Sequence, residues 1–457
     1  MEKQALLESF QDVLNSTTSI KLHADRVADF WEKSNGIFTD EDQETMVSRI
    51  RIRVQGEALH SLSGTMWQAL YMATGVGKSK ILIDLAKSIV SFRPSAKILI
   101  VVPTEKLRDN GWAEEFAKWG ASEIYQSNVV TTCYASLAKI ESEHWSLVGL
   151  DEGHNITERN VEFFKKNTVS KVVLLTATKP TDLMKLELLR ELNISPAYTL
   201  SLDEATKLGI VAPYTITVVT MYMDTTEKYL KAGSTKKGYF YNTEKNHYNY
   251  LSRGNMLYSP MGHINRMRFI YTLRSKTREA KWLLENVIPK DARKVIFCGS
   301  KDQANELSPY RFYSKPTPPK RTKAQETNPK KLEKYVADST KYEEAIKHYQ
   351  GDGSLNKFLI EEINEISCVE ALNEGHNLPN LDIGFIVQLN SNQNDFVQRL
   401  GRLIRYRVGH TGKIIILCVC DTVDKKWVEK ALASIKVAKI EWLELSRLKM
   451  GIDTITF

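Results

Sequence analysis

Short apolar runs alternate with amphipathic stretches along most of this chain. Apolar runs of strand length are "MWQALYM", "AKILIVVP" and "VSKVVLLTAT", and later "ARKVIFCGS", "NLDIGFIVQL" and "GKIIILCVCD". Segments such as "SKILIDLAKSIVSF" and "TEKLRDNGWAEEFAKWG" have helical spacing between them. This alternation predicts an α/β fold whose parallel strands are covered by helices on both faces, repeated in two blocks.

The remaining regions have a different pattern. Residues 1–50 are polar with spaced apolar positions and predict a helical N-terminal segment. We therefore place the first lobe at 51–212 and the second lobe at 291–422. Residues 213–290, which have helical stretches, form an inserted or linking segment at the start of the second lobe. The tail, 423–457, has the spacing of a C-terminal helix.

A basic, proline-rich segment interrupts the second block. "KPTPPKRTKAQETNPKKLEK" (315–334) has seven Lys and Arg residues against two Glu, and four prolines. This composition predicts an exposed, largely irregular loop. It serves either as a solvated linker or as a basic arm that touches phosphates.

Charge and cysteine content narrow the class of protein. The net charge of +8 favours a polyanionic partner only mildly. The five cysteines form no C-x-x-C pair, which argues against zinc and against a disulfide framework, and Cys418 and Cys420 lie in a predicted buried strand. The chain has neither a signal-peptide core nor an apolar run of membrane-spanning length. We expect a cytoplasmic protein, for example of a bacterial or phage-infected cell, with no membrane partner.

The stretch "MATGVGKS" (72–79) stands between a predicted strand and a predicted helix. Gly75 and Gly77 permit a tight backbone turn, and the following helix presents its positive N-terminal end to phosphate. Lys78 is expected to reach the β- and γ-phosphates, and Ser79 to offer its hydroxyl to Mg²⁺. The segment therefore predicts a nucleotide-binding loop, although Met72 replaces the first glycine of the usual pattern.

A second apolar strand ends in acidic residues at "LVGLDEGH" (147–154), 73 residues after Lys78. A triphosphate site needs a carboxylate for Mg²⁺ and a second group that orients or deprotonates water. We assign the first role to Asp151 and the second to Glu152. Surface acids at a strand end are the alternative, which the nearby phosphate loop disfavours.

These two motifs resemble those of helicase superfamily 2, in particular the DExH-box branch related to restriction-enzyme motor subunits. Eight further segments match in the family's order, and the resemblance covers about residues 50–420: "RVQGEALHSL", "VVPTEKLRDNGWAEEFAKW", "TTCYASL", "TAT", "YTLSLDEATKLGIVAPY", "VIFCGS", "LNEGHNLPN" and "QRLGRLIRYR". The resemblance implies two tandem RecA-like parallel-sheet lobes with an ATP cleft between them. Helical additions are expected at both chain ends.

The resemblance also implies roles for single residues. In the last motif, Gln398, Arg402 and Arg405 share a helix face, and the two arginines are expected to stabilise charge on the γ-phosphate. His154, Thr176 and Thr178 are expected to couple ATP hydrolysis to movement. Asn377 stands where many relatives have Asp. Nucleotide contacts are implied for Gln55, Thr74, Gly75, Val76, Gly77, Lys78, Ser79 and Gly375.

The implied activity is that of an ATP- and Mg²⁺-dependent DNA helicase or translocase in recombination, replication or repair. Its track is single-stranded, double-stranded or branched DNA, and partner proteins of those processes are expected. A DExH RNA helicase and a nucleic-acid-bound ATPase clamp are the alternatives. The sequence does not decide whether the track is DNA or RNA, nor does it give the polarity of movement or the oligomeric state.

One stretch outside the motifs interleaves aromatic and basic residues. "KKGYFYNTEKNHYNYLSR" (236–253) contains five aromatic side chains among lysines and an arginine. These rings either stack on unpaired bases, for example in a hairpin at a fork, or pack an inserted subdomain.

Overall fold

The computed structural model describes residues 2–62, 64, 66–234, 238–320, 329–369, 378, 380–389, 396, 399–401, 403, 409–433 and 435–457. The chain divides into two compact units. The first unit comprises Met1–Pro213, Leu400–His410 and Ile435–Val437. The second comprises Tyr214–Arg399, Thr411–Ser434 and Ala438–Phe457.

The strands of the described residues, in chain order, are β1 (Gln68–Met72), β2 (Ile98–Val102), β3 (Val129–Cys133), β4 (His144–Trp145), β5 (Leu147–Leu150), β6 (Thr168–Val169), β7 (Val172–Thr176), β8 (Ser195–Leu200), β9 (Tyr214–Met221), β10 (Leu230–Ser234), β11 (Gly238–Asn242), β12 (Lys294–Phe297), β13 (Arg311–Tyr313), β14 (Glu365–Val369), β15 (Ile383–Ile386), β16 (Gly412–Val419) and β17 (Lys439–Glu444).

The α-helices in the same part of the chain are Glu2–Asn15, Ala24–Lys33, Asp40–Ser61, Lys78–Phe92, Trp112–Lys118, Ser122–Asn128, Glu158–Lys166, Leu183–Glu191, Leu202–Lys207, Glu244–Leu251, Asn255–Tyr258, Pro260–Tyr271, Arg274–Asn286, Lys301–Leu307, Pro329–His348, Gly353–Leu359, Val423–Leu432 and Leu445–Lys449. Short 3₁₀ turns lie at Ile20–His23, Tyr134–Lys139 and Gly153–Asn155, and a π-helical turn at Leu107–Gly111. None of the described helices is long and apolar enough to cross a membrane.

The first unit is built on a parallel sheet. Its strand order among the described residues is β3-β2-β5-β7-β1-β8. All residues of β1, β2, β5 and β7 are buried, as their continuous apolar sequences predict for strands covered on both faces. In a parallel sheet the loops that follow neighbouring strands meet at one edge, where α/β proteins bind ligands. The loops after β1, β5 and β7 contain the sequence motifs.

The second unit repeats the architecture with the parallel order β13-β14-β12-β15-β16-β9-β17 among its described residues. The predicted fold class, α/β with two tandem parallel-sheet lobes, is confirmed. Within 213–290, the predicted helical stretches are accompanied by β9, which pairs in parallel with both β16 and β17. The start of this segment is therefore a strand of the second sheet.

One local prediction in the second unit is wrong, and another is corrected at one end. The tail 423–457 is not one helix, because β17 follows the helix Val423–Leu432 and pairs with the edge of β9. Strand pairing satisfies backbone groups on both strands, and helical spacing within the tail does not reveal this gain. In the basic segment 315–334 a helix begins at Pro329, a residue type well suited to the first helical turn, so its last six residues are not irregular. Residues 321–328 lie outside the described residues.

The N-terminal helices belong to the core of the first unit. Arg53, on the helix Asp40–Ser61, donates hydrogen bonds to the carbonyls of Val13 (3.2 Å), Leu14, Ser16 (2.5 Å) and Thr18 (2.7 Å). These bonds fasten the chain end to the long helix, whose Ile50 and Val54 are fully buried. Since this helix extends to Ser61, the expected boundary at residue 50 falls inside it.

The cysteines lie in or directly after strands. Cys133, Cys298, Cys368 and Cys418 are buried, and Cys420 is half-buried; all five are free thiols. The predicted burial is confirmed for Cys418, whereas Cys420 follows β16 and is only half-buried.

Candidate active site

The phosphate loop connects β1 to the helix Lys78–Phe92. Gly75 and Gly77 have φ values of +85° and +99°, in the left-handed region that favours glycine. Gly77 is the N-cap of the helix and, in the described structure, no side chain caps the first N–H groups. A helix start that is left uncapped in a glycine turn is suited to bind phosphate.

Gln55 supports this loop from the helix Asp40–Ser61. Its side-chain amide is buried and donates a 2.8 Å hydrogen bond to the Val76 carbonyl. A Cβ placed on Gly77 would lie only 2.3 Å from the Gln55 Nε2 atom. The glutamine expected to contact adenine therefore also packs against the phosphate loop itself.

Lys78 lies over the end of β1. Its Nζ atom donates to the carbonyls of Met72 (3.0 Å) and Ala73 (3.4 Å). Met72, which replaces the first glycine of the motif, thus contributes through its main chain, and its side chain is buried. The carbonyl contact does not depend on which side chain occupies this position.

Asp151 follows β5, and its carboxylate accepts a 3.2 Å hydrogen bond from the Trp112 indole N–H and another from the Glu152 backbone N–H (3.0 Å). The Tyr134 hydroxyl donates a 2.8 Å hydrogen bond to the backbone carbonyl of Asp151. Burial and the neighbouring Glu152 carboxylate raise the pKa of Asp151 to about 7, and the Lys78 ammonium opposes this shift. A carboxylate next to a second carboxylate in such a place favours a bound cation.

The backbone at Glu152 is unusual for a residue with a side chain. Its φ of +46° lies in the left-handed region, a strain that proteins retain mainly at functional positions. The turn continues through Gly153, where a Cβ would lie 2.2 Å from the Leu174 Cγ atom. Strain and close packing together hold the Glu152 side chain at the end of β5.

His154 joins two of the motifs. Its Nδ1 atom lies 3.2 Å from the Thr176 hydroxyl at the end of β7 and 3.5 Å from the Glu152 carboxylate. The structure thus brings together His154 and Thr176, which were assigned a coupling role. Thr178 follows β7 and is half-buried.

The residues present fit a Mg²⁺-nucleotide. The chemistry of the set is suitable, with one ammonium for phosphate and a hydroxyl and carboxylates for a hard cation. Thr74 Oγ1 and Glu152 Oε2 are buried polar atoms that have no hydrogen-bond partner among the described residues. Lys78 would hold phosphate, and Ser79 and Asp151 would hold the metal ion.

Several predicted residues lie outside the described residues: Gly375, Asn377, Gln398, Arg402 and Arg405. From the last motif the structure describes Gly401, which belongs to the first unit. A Cβ on Gly401 would lie 1.2 Å from the Thr74 Oγ1 atom, so this motif closely approaches the phosphate loop at that point.

Trp112 was missed as a functional residue at the sequence level. It lies within a quoted motif segment, directly after the π-helical turn Leu107–Gly111, and is buried. Turns of this type occur often at functional sites. A buried indole N–H needs an acceptor, and that requirement was the available signal.

One protein family matches part of this chain. Residues 39–181 match the family described as Type III restriction enzyme, res subunit, a segment that includes the phosphate loop and the Asp151 motif. A search of curated protein sequences finds no match.

Three solved structures are similar to this chain at low sequence identity. S. cerevisiae Dbp5 bound to RNA and ADP BeF3 is 11% identical, with a TM-score of 0.50, covering 87% of this chain and 91% of that chain. The ATP-dependent Type ISP restriction-modification enzyme LlaBIII bound to DNA is 15% identical, with a TM-score of 0.49, covering 86% of this chain and 31% of that chain. The Pyrococcus furiosus Hef helicase domain is 13% identical, with a TM-score of 0.42, covering 83% of this chain and 97% of that chain. The likeness to Dbp5 is one of fold, and with the family match it supports helicase superfamily 2.

Proposed function

We propose that this protein is an ATP-dependent DNA helicase or translocase of the DExH branch of helicase superfamily 2. One observation carries the proposal: the phosphate loop with Lys78 and the Asp151–Glu152 pair follow strands of the same parallel sheet. The match of 39–181 to a restriction-enzyme subunit covers both motifs and favours DNA as the track. Recombination, replication or repair are the processes in which such a motor acts.

The chain's own residues divide the work as follows. Lys78 neutralises phosphate charge, and Ser79 and Asp151 hold Mg²⁺. Glu152 orients the attacking water, and Arg402 and Arg405 stabilise the charge that develops on the transferred group. Bound Mg²⁺-ATP would supply the phosphoryl group that is hydrolysed.

His154 and Thr176 lie where they can respond to changes at Glu152 during ATP hydrolysis. Their 3.2 Å contact links the loop after β5 with the loop after β7. A change at Glu152 on hydrolysis therefore reaches the second loop through one side chain. This link supports the coupling of hydrolysis to movement along DNA.

An RNA helicase is the second candidate, since Dbp5, which shares the fold, was solved with RNA. Steady-state ATP hydrolysis separates the candidates when it is measured at fixed salt without nucleic acid and with single-stranded, double-stranded or branched DNA, or RNA. We expect strong stimulation by one form of DNA. Stimulation by RNA alone would assign the protein to the second candidate, and no stimulation by any form would refute both.

The site assignment has its own test. Lys78→Ala removes the ammonium and is expected to abolish ATP turnover while the fold and most nucleic-acid binding remain. Lys80→Ala, on the same helix, is the matched control, since Lys80 pairs with Asp84 at 2.5 Å and should leave turnover near wild type. Wild-type turnover in Lys78→Ala would show that the nucleotide binds elsewhere.

A further inference from the structure

An exposed antiparallel ribbon projects aromatic side chains into solvent in the second unit. We call β10 (Leu230–Ser234) and β11 (Gly238–Asn242) the aromatic ribbon; in the described chain these strands pair with each other. Tyr239, Phe240 and Tyr241 are 54%, 55% and 56% exposed. Three consecutive large rings in solvent on a small ribbon are unusual and indicate an interaction surface.

The register places rings on both faces of the aromatic ribbon. Tyr241 lies opposite Lys231, and Tyr239 lies on the same face two residues away, whereas Phe240 lies on the other face. The Lys231 Nζ atom is 3.9 Å from the centre of the Tyr239 ring. A cation and flat rings therefore share one face.

The sequence of the aromatic ribbon and its flanks carries charge of one sign. Between Glu227 and Glu244 the sequence contains four lysines and no acidic residue. Apolar protein-binding surfaces usually lack clustered lysines. Lysines interleaved with exposed aromatic rings are what proteins use to hold the phosphates and bases of a single strand.

The base of the aromatic ribbon is rigid. Glu244 is fully buried, and its carboxylate accepts hydrogen bonds from the Tyr229 hydroxyl (2.6 Å), the Asp224 backbone N–H (3.1 Å), and the backbone N–H (3.0 Å) and hydroxyl of Ser275. Tyr229 precedes β10 and Glu244 follows β11 by two residues. Both strands are thus fastened to the body of the unit, which keeps the exposed rings in place.

The neighbouring aromatic residues differ in exposure: Tyr250 is 62% exposed, like the rings of the aromatic ribbon, whereas Tyr248 is buried. Tyr248, on the following helix, is 6% exposed, and its hydroxyl accepts a hydrogen bond from the Val423 N–H. The sequence left packing and base stacking open for residues 236–253, and the structure now separates the aromatic residues of this stretch. Tyr248 packs the core, and the rings at 239–241 do not.

We propose that the aromatic ribbon binds single-stranded DNA by stacking unpaired bases on Tyr239, Phe240 and Tyr241. The proposal rests on the proposed function, since it gives the motor a contact for an unpaired strand. Stacking is tolerant of base identity, because every base has a flat face. The aromatic ribbon should therefore bind single-stranded DNA without sequence preference and should not bind intact duplex.

The test uses the full chain with Tyr239→Leu, Phe240→Leu and Tyr241→Leu combined, which keeps apolar area and removes the rings. We expect the affinity for a labelled single-stranded DNA 20-mer, from fluorescence anisotropy at fixed salt, to fall at least about fivefold, the lower end for one lost base contact. Affinity for blunt duplex should be unchanged. A 2-aminopurine base in the strand should lose its protein-induced quenching.

Two controls keep the result interpretable. Tyr258→Leu removes another ring, 87% exposed on a separate helix, and should leave all three measurements unchanged. The combined variant should melt at the wild-type temperature, and Tyr239→Leu serves in its place if it does not.

Each other outcome has a defined meaning. Single-strand affinity within twofold of wild type, or equal loss for strand and duplex, would refute base stacking on the aromatic ribbon while the proposed function stands. A loss confined to an RNA 20-mer would refute the commitment to DNA. A wild-type protein that binds no nucleic acid and whose ATP turnover is not stimulated would refute the proposed function itself, and the ribbon proposal with it.

Discussion

Gly77→Ala tests how the phosphate loop is built. At φ +99° an alanine is strained by roughly 1–2 kcal/mol. Its Cβ would also lie 2.3 Å from the Gln55 amide, far inside contact distance, so the amide has to move. That movement breaks the buried 2.8 Å bond to Val76, at a cost of about 1–3 kcal/mol. Together these terms give about 2–5 kcal/mol of local destabilisation.

The two terms can be separated within the same loop. Gly75→Ala is the matched control, because Gly75 has φ +85° but nothing within 4 Å of the added Cβ. It should show the strain term without the clash. In a Gln55→Ala background the clash is absent, so Gly77→Ala should then cost about as much as Gly75→Ala.

The assay is native-state hydrogen exchange of peptides from the phosphate loop and the helix Asp40–Ser61, which reports local opening free energies. The binding of a fluorescent ATP analogue is measured on the same proteins. We expect Gly77→Ala and Gln55→Ala to be non-additive by about 1–3 kcal/mol. Strict additivity, or equal effects of Gly75→Ala and Gly77→Ala in the wild-type background, would refute the packing of Gln55 on the loop.

Three further predictions concern single contacts. Trp112→Phe removes the N–H donor to Asp151, and we expect kcat/KM for ATP to fall about 10- to 100-fold; wild-type kinetics would contradict the role of this bond. The ion pair of Lys276 and Asp424 is fully buried at 2.7 Å, so replacing Lys276 with Met should cost about 3–5 kcal/mol in urea unfolding, much of it recovered when Asp424 is replaced with Leu as well. Backbone N–H groups three and two positions further on lower the pKa of Asp224 to about 2. This stabilisation, about 1 kcal/mol after screening by solvent, is complete above about pH 4 and lost as the pH falls toward 2. Asp224→Asn should remove that part of the pH dependence, and an unchanged acid unfolding profile would contradict it.

The parts of the site that follow from local sequence were predictable. Gly75 and Gly77 have the backbone angles that their place in the motif implies, and Asp151 follows a buried strand as its apolar run indicates. Both inferences need a strand and the few residues after it. The alternation of apolar runs likewise predicts both parallel sheets.

The parts that depend on distant partners were not predictable. The bond from Trp112 to Asp151 joins residues 39 positions apart, and no local pattern indicates which acceptor a buried indole finds. The strand β17 depends on the open edge of β9, which lies more than 200 residues earlier. The exposure of Tyr239 and the burial of Tyr248 are decided by what packs against each ring, since the residue types are the same.

The placement of the cysteines has a practical consequence for labelling. Burial raises the pKa of all five thiols, and the thiolate is the form that reacts with maleimides and oxidants. A cysteine introduced on the aromatic ribbon by Lys231→Cys would be exposed and should react far faster than the natural ones. A fluorophore could then be attached at one chosen position without removing any native cysteine.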